Sequence, residues 1–149
     1  MSYDDLKVGR ISVPHHAYFV TIVTSKRFPF FTDLYSARCV IREMRRVSDS
    51  GDVNSMAWVL MPDHLHWLFQ LGELGDINAV MARFKGVSAK RLNECLGRKG
   101  GVWQRGFYDR ALREGEDPVK VARYMVGNPL RAGLVGSVEK YSHWDARWL

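Results

Sequence analysis

The sequence predicts an α+β domain of ferredoxin-like plan, βαββαβ, with a four-stranded antiparallel sheet, helices packed on it and one further helix at the end. Three observations carry this. Two apolar, β-rich runs are joined by the two-residue turn Pro62-Asp63 and read as a hairpin. A helical apolar stripe precedes that hairpin and a second one follows it. Strand-like runs then bracket the whole, one before the first helix and one after the second.

His16 to Thr24 is rich in β-branched and aromatic residues, as a strand requires. Phe28 to Phe31 punctuates the chain. From Asp33 to Ser50, Leu34, Ala37, Val40, Ile41, Met44 and Val47 fall on one helical face, with Arg38, Arg42, Arg45 and Arg46 largely off it. Gly51-Asp52 ends this helix, and Ser55–Met61 and His64–Leu71 form the hairpin. Asp76 is placed to cap a helix running to about Cys95, its apolar side made of Ile77, Val80, Met81, Phe84, Val87 and Leu92. Gly97 to Gly101 breaks it, and Val102–Arg113 reads as a fourth strand kinked at Gly106. Asp117-Pro118, a cap followed by proline at the first helical position, opens a last helix ending near Gly127-Asn128-Pro129. Residues 1–15, the first dozen of them polar, and residues 136–149 read as peripheral tails on a single domain of residues 1–149.

Composition narrows the function classes. A 149-residue chain with 46% hydrophobic residues supports one packed domain. The apolar runs are too short for a membrane helix, and the first ten residues lack an apolar segment for export. Two cysteines without CxxC spacing, both expected inside helices as small core residues, argue against a disulfide framework or a cysteine zinc site. A cytoplasmic, nucleoid-associated protein is the expectation. The net charge is +6, and 15 of the 22 cationic residues are arginine, the residue whose planar fork suits phosphate. Between residues 83 and 113, Arg83, Lys85, Lys90, Arg91, Arg98, Lys99, Arg105, Arg110 and Arg113 face only Glu94 and Asp109. A basic segment on a near-neutral body is the footprint expected of a nucleic-acid binder. Trp103, Phe107 and Tyr108 within it are candidates for stacking on bases.

The chemistry centres on His64 and His66. Two apart on a strand, they share a face, while Leu65, Trp67, Phe69 and Leu71 occupy the other and belong to the core. Paired imidazoles, with Gln70 further along, can hold a divalent ion if another ligand joins them. Asp63 beside them either contacts that ion or closes the turn, and the turn is favoured. His15 and His16 are adjacent and read as structural. On the last helix Lys120, Tyr124 and Asn128 fall four apart, so a phenol shares a stripe with an amide oxygen and a cation suited to phosphate. A phenol becomes a useful nucleophile toward phosphate beside a polarising ion. Asn128 precedes Pro129, which biases it away from helical geometry. Tyr108 competes with Tyr124 for the role of nucleophile.

WVLMPDHLHWLF, VWQRGFYDRALR and ARYMVGNPLRAGLV, in that order, resemble the REP-associated tyrosine transposases, a branch of the HUH single-tyrosine transposases, over residues 16–135. The resemblance implies a ferredoxin-like fold and an HUH element at His64-Leu65-His66. It implies Tyr124 as the catalytic tyrosine on the helix before the NPxRAGL signature, and Asn128 as the remaining metal ligand. It also implies Mg²⁺ or Mn²⁺ as the ion and single-stranded DNA hairpins of repetitive extragenic palindromes as substrate. Cleavage would leave a 5′-phosphotyrosine and a free 3′-hydroxyl, by a monomer or a homodimer. Two other readings compete: a non-catalytic nucleic-acid-binding module of RRM-like fold, and a metal-dependent hydrolase that uses water.

Overall fold

The computed structural model describes residues 12–73, 75–136, 141 and 143–147. Its elements are β1 (Ala17–Val23), α1 (Leu34–Asp49), β2 (Val53–Met61), β3 (His64–Leu71), α2 (Ile77–Leu96), β4 (Tyr108–Ala111), α3 (Pro118–Val126), the single turn α4 (Asn128–Arg131) and β5 (Trp144–Ala146). The strands form one antiparallel sheet in the order β4-β1-β3-β2-β5. The first four are the βαββαβ plan that the sequence predicts. The fifth is a correction, because part of the carboxy-terminal segment read as a peripheral tail pairs with β2, Trp144 opposite Val59 and Ala146 opposite Ala57. Its three residues were too few to give an alternating pattern. Of the first dozen residues, only Ser12 is described. Its Oγ accepts from Ile77 N at 2.9 Å.

The caps sit where short polar side chains can accept orphan amide hydrogens. Asp33 Oδ1 accepts from Tyr35 N, Asp76 Oδ1 from Ala79 N, and Asp117 Oδ1 from Val119 N. Gly97, at φ +61°, closes α2 in the left-handed conformation that a side chain would strain.

Burial divides the sheet's two faces. On one, Tyr18, Val20 and Ile22 of β1 and Leu65, Trp67, Phe69 and Leu71 of β3 pack against Val40, Met44 and Val47 of α1 and Met81, Phe84 and Leu92 of α2. On the other, Ala57, Val59, Met61 and Leu68 pack against Ala122, Met125 and Val126 of α3. The alternation of β3 therefore directs its bulky residues to α1 and α2, and His64 and His66 to the face that receives α3.

Two local expectations need correcting. Regular pairing of β4 begins at Tyr108, not Val102. Upstream of it, Trp103 forms an isolated bridge to Thr24, and Gly106 at φ +80° turns the chain between them. Cys39 is buried as expected, but Cys95 is exposed. Burial and a hydrogen bond with Cys95 push the Cys39 thiol up to about 11, which keeps it protonated.

Candidate active site

The hairpin turn fixes where the first histidine starts. Asp63 O accepts from Thr24 N and from Thr24 Oγ1, both at 3.0 Å, and Pro62 O accepts from Phe31 N at 3.1 Å. This ties the turn to the segment leaving β1. The Asp63 side chain does more than close the turn. Its Oδ1 lies 2.7 Å from His64 Nδ1, and its Oδ2 accepts from Arg27 Nε at 3.0 Å. Burial alone would raise its pKa, but the hydrogen bond and charge of His64, with Arg27, hold the carboxyl below its ordinary range.

His66 is fixed in a matching way from the neighbouring strand. Thr21 stands opposite it in β1, with Oγ1 2.9 Å from His66 Nδ1. The two imidazole centroids are 4.7 Å apart at 79°. Both rings therefore have Nδ1 facing an oxygen and Nε2 pointing away from it, the usual outer-shell arrangement of a metal-binding histidine; the Asp63 carboxylate can only accept, so His64 carries its proton on Nδ1 and its lone pair on Nε2. Burial, and then the charges of His64 and Arg131, lower His66 to about 4. The ring is neutral at physiological pH. Gln70, further along the face, is committed to the His15 carbonyl at 2.8 Å. No cluster of three or more His, Cys, Asp or Glu side chains able to hold an ion exists among the described residues.

The helix packed on this face and the turn after it carry the other two sequence candidates, Tyr124 and Asn128. Tyr124 is 67% exposed near the end of α3. Asn128 follows one turn later and opens α4, because Gly127 stays in the right-handed helical region at φ −79°, ψ −8°. The expectation that Pro129 would draw Asn128 out of helical geometry is thus corrected: the proline occupies the first turn of a new helix, where its missing N–H costs nothing. Arg131, unassigned in the sequence reading, joins these groups. Its Nη2 donates to the Tyr124 carbonyl oxygen and to Asn128 Oδ1, and its guanidinium lies 3.8 Å from the centroid of the Tyr124 ring. Gly127 makes room for it, since a Cβ there would meet Arg131 Nη1 at 2.7 Å.

The stacking candidates separate by face. Phe107 is buried in the α1/α2 core, and Trp103 packs against that core with Nε1 donating to Ser88 Oγ at 2.9 Å. Neither offers a free ring face to a base. Tyr108 is 53% exposed and stands opposite Thr21. It shares a row with Thr21, His66 and Val59 across four strands, two strand spacings, or about 10 Å, from His66.

The basic segment is partly consumed internally. Lys85 is half-buried, with Nζ donating to the Gln104 and Gly106 carbonyls at 2.6 Å each and its pKa pushed down by burial to about 8. This corrects its assignment to DNA, as it staples the loop before β4. Arg98 lies over Phe30 and donates to Asn93 Oδ1 and the Gly101 carbonyl. Arg83 pairs with Asp52 at 3.2 Å, Arg91 with Glu43 at 3.9 Å and Arg110 with Glu116 at 2.7 Å. These guanidiniums are roughly half exposed, whereas Glu43 is buried. Lys90, Lys99, Arg105, Arg113 and Lys120 are exposed. Arg38, Arg42 and Arg45 also stand exposed on α1.

Comparison with known proteins shows the family and the fold. Residues 12–126 match the family described as "Transposase IS200 like". A Haemophilus influenzae protein named for the REP-associated tyrosine transposases is 29% identical over 140 residues, covering 85% of this chain and 77% of that one. The REP-associated tyrosine transposase of Escherichia coli is 31% identical over 85 residues, 57% of this chain and 49% of the relative. Among solved structures, a REP-associated tyrosine transposase bound to a REP hairpin superposes with a TM-score of 0.73 at 23% identity, covering 91% of this chain and 79% of that one. A bacterial tRNA(His) guanylyltransferase-like protein, at 12% identity, 83% and 65% coverage and a TM-score of 0.55, has the same core, so the fold by itself does not select the chemistry. Family match and named relatives together do: the chain belongs to the IS200-like transposases, enzymes that cleave and rejoin DNA, and is similar to their REP-associated branch.

Proposed function

We propose that this protein cleaves and rejoins single-stranded DNA at hairpins of the repetitive-extragenic-palindrome kind, through a covalent intermediate on Tyr124. The observation that carries the reading is the paired engagement of His64 Nδ1 by Asp63 and His66 Nδ1 by Thr21. It aims both Nε2 donors away from their strand partners, on the face where α3 docks. The donor set fits a divalent ion of the Mg²⁺ or Mn²⁺ kind, with His64, His66 and Asn128 as its ligands. When bound, such an ion draws charge from the scissile phosphate.

The rest falls to the chain's own groups. Tyr124 Oη gives up its proton and attacks phosphorus. The new tyrosyl O–P bond forms as the P–O3′ bond breaks, and the departing 3′-oxygen takes a proton. The 5′-phosphate remains on Tyr124, and a second 3′-hydroxyl reverses the exchange to seal a new junction without ATP. Lys120, one turn before Tyr124, and the exposed cations of residues 83–113 hold the backbone, while Tyr108 offers a ring for a base. The tyrosine helix packs on its own sheet through Ala122, Met125 and Val126, which favours a site closed within one chain and a monomeric enzyme.

Labelled hairpin oligonucleotides incubated with Mn²⁺ or with EDTA, then run on a denaturing gel, test this reading. An ion-dependent protein–DNA adduct, lost in Tyr124→Phe, is expected. Cleavage without an adduct would assign the chemistry to water, and binding without cleavage would leave a recognition module.

A further inference from the structure

Arg131 lies between the candidate nucleophile and the candidate amide ligand, and its contacts leave part of the guanidinium unspent. Nη2 donates both its hydrogens, to the Tyr124 carbonyl and to Asn128 Oδ1. Three N–H donors remain, two on Nη1 and one on Nε, with no acceptor among the described residues. The plane is held against the Tyr124 ring at 3.8 Å, so these donors are fixed relative to the attacking phenol and not carried on a free side chain. Gly127 completes the cradle, since a Cβ there would lie 2.7 Å from Nη1 and displace the guanidinium from this position. Among the described residues no other cation touches Tyr124 or Asn128.

We propose that Arg131 clamps the scissile phosphate, its spare N–H fork holding a non-bridging oxygen while Tyr124 attacks, and that Gly127 is glycine to admit it. This inference rests on the tyrosine reading above. In a phosphoryl transfer the developing charge spreads over the equatorial oxygens, and a planar guanidinium supplies two parallel donors to such oxygens where an ammonium supplies a point charge. The Asn128 oxygen has two lone pairs. It can accept from Arg131 and still face an ion, so the same arginine orients the amide without blocking it.

Arg131→Ala, Arg131→Lys and Gly127→Ala are compared with the parent protein using a labelled hairpin oligonucleotide. Affinity is followed by fluorescence anisotropy and single-turnover reaction with Mn²⁺ by denaturing gel, with thermal melts confirming the fold. The expected result for Arg131→Ala is a cleavage rate lower by about 10²–10³-fold, the usual cost of one charge-stabilising donor, with affinity within about threefold. Arg131→Lys recovers part of the rate, Gly127→Ala loses rate with Arg131 still present, and added guanidinium ion restores part of the rate to Arg131→Ala but none to Tyr124→Phe. An unchanged rate in Arg131→Ala overturns the clamp. So does a rate that falls only in step with affinity and gains nothing from guanidinium. If the parent protein cleaves without forming an adduct, the tyrosine reading fails separately, and the clamp is judged on that cleavage rate in the same variants.

Discussion

Thr21→Val tests the outer shell of the histidine pair with the least disturbance to the sheet. Valine has nearly the shape of threonine and suits a strand at least as well, so β1 keeps its pairing with β3 and β4. What disappears is the oxygen 2.9 Å from His66 Nδ1. His66 is partly buried between Thr21 and Val59, so Nδ1 has little access to water as a substitute. Leaving a buried donor unpaired costs about 1–3 kcal/mol. Loss of an outer-shell partner separately corresponds to about 10–100-fold in metal affinity, or about 1.4–2.8 kcal/mol at 1.4 kcal/mol per tenfold. The first is a cost to the stability of the fold, the second a cost to ion affinity. Calorimetric titration with Mn²⁺ of Thr21→Val against the parent should therefore show affinity weakened by one to two orders of magnitude, with a melting temperature shifted by only a few degrees. An affinity unchanged within about twofold would refute the argument that Thr21 is the outer-shell partner of His66.

The corner between β4 and the tyrosine helix carries a pH signature. Glu116 accepts from Arg110 Nη1 and from Arg113 N, which lower its pKa to about 2 from 4.5. Its folded pKa is the depressed one, so its stabilisation is complete above about pH 4.5 and disappears as pH falls toward 2. Acid melts of Glu116→Gln should lose less stability across that window than the parent, and equal losses would contradict the assignment. Salt dependence separates structural from phosphate-contacting cations: Lys120→Ala should reduce the slope of log affinity for the hairpin against log salt by about 0.7–0.9, while Lys85→Met leaves it unchanged. Phe84 is fully buried beside Trp67, ring centroids 5.2 Å apart, and Phe84→Ala should cost about 3–5 kcal/mol by denaturant titration.

Much of this site is legible along the chain because β3 obeys a period of two. His64 and His66 alternate with Leu65, Trp67 and Phe69, so one glance at the pattern assigns the face, and the Asp117-Pro118 cap fixes where the tyrosine helix starts. The features that escaped are those set by contact between distant segments. Thr21 is 45 residues from His66 and becomes its partner only through the β1–β3 register. Phe107 and Trp103 read like stacking rings beside Tyr108, but which of the three faces solvent depends on the turn at Gly106. Net charge between residues 83 and 113 gave no sign that Lys85 would be spent on two loop carbonyls. Arg131 stood within the NPxRAGL signature without a role, because its side chain folds back over Gly127 to reach Tyr124, a path no periodicity describes.

The central claim is that Tyr124 becomes joined to DNA, and mapping the linked residue tests it most directly. A reaction of the parent protein with a hairpin oligonucleotide in Mn²⁺ would be quenched, digested with protease and nuclease, and analysed by tandem mass spectrometry for a tyrosine carrying a nucleotide phosphate. The account predicts that mass on the peptide containing Tyr124 and its absence when EDTA replaces the ion. The same mass on Tyr108, which shares the His66 row across the sheet, would contradict it and move the nucleophile from the helix to the edge of β4.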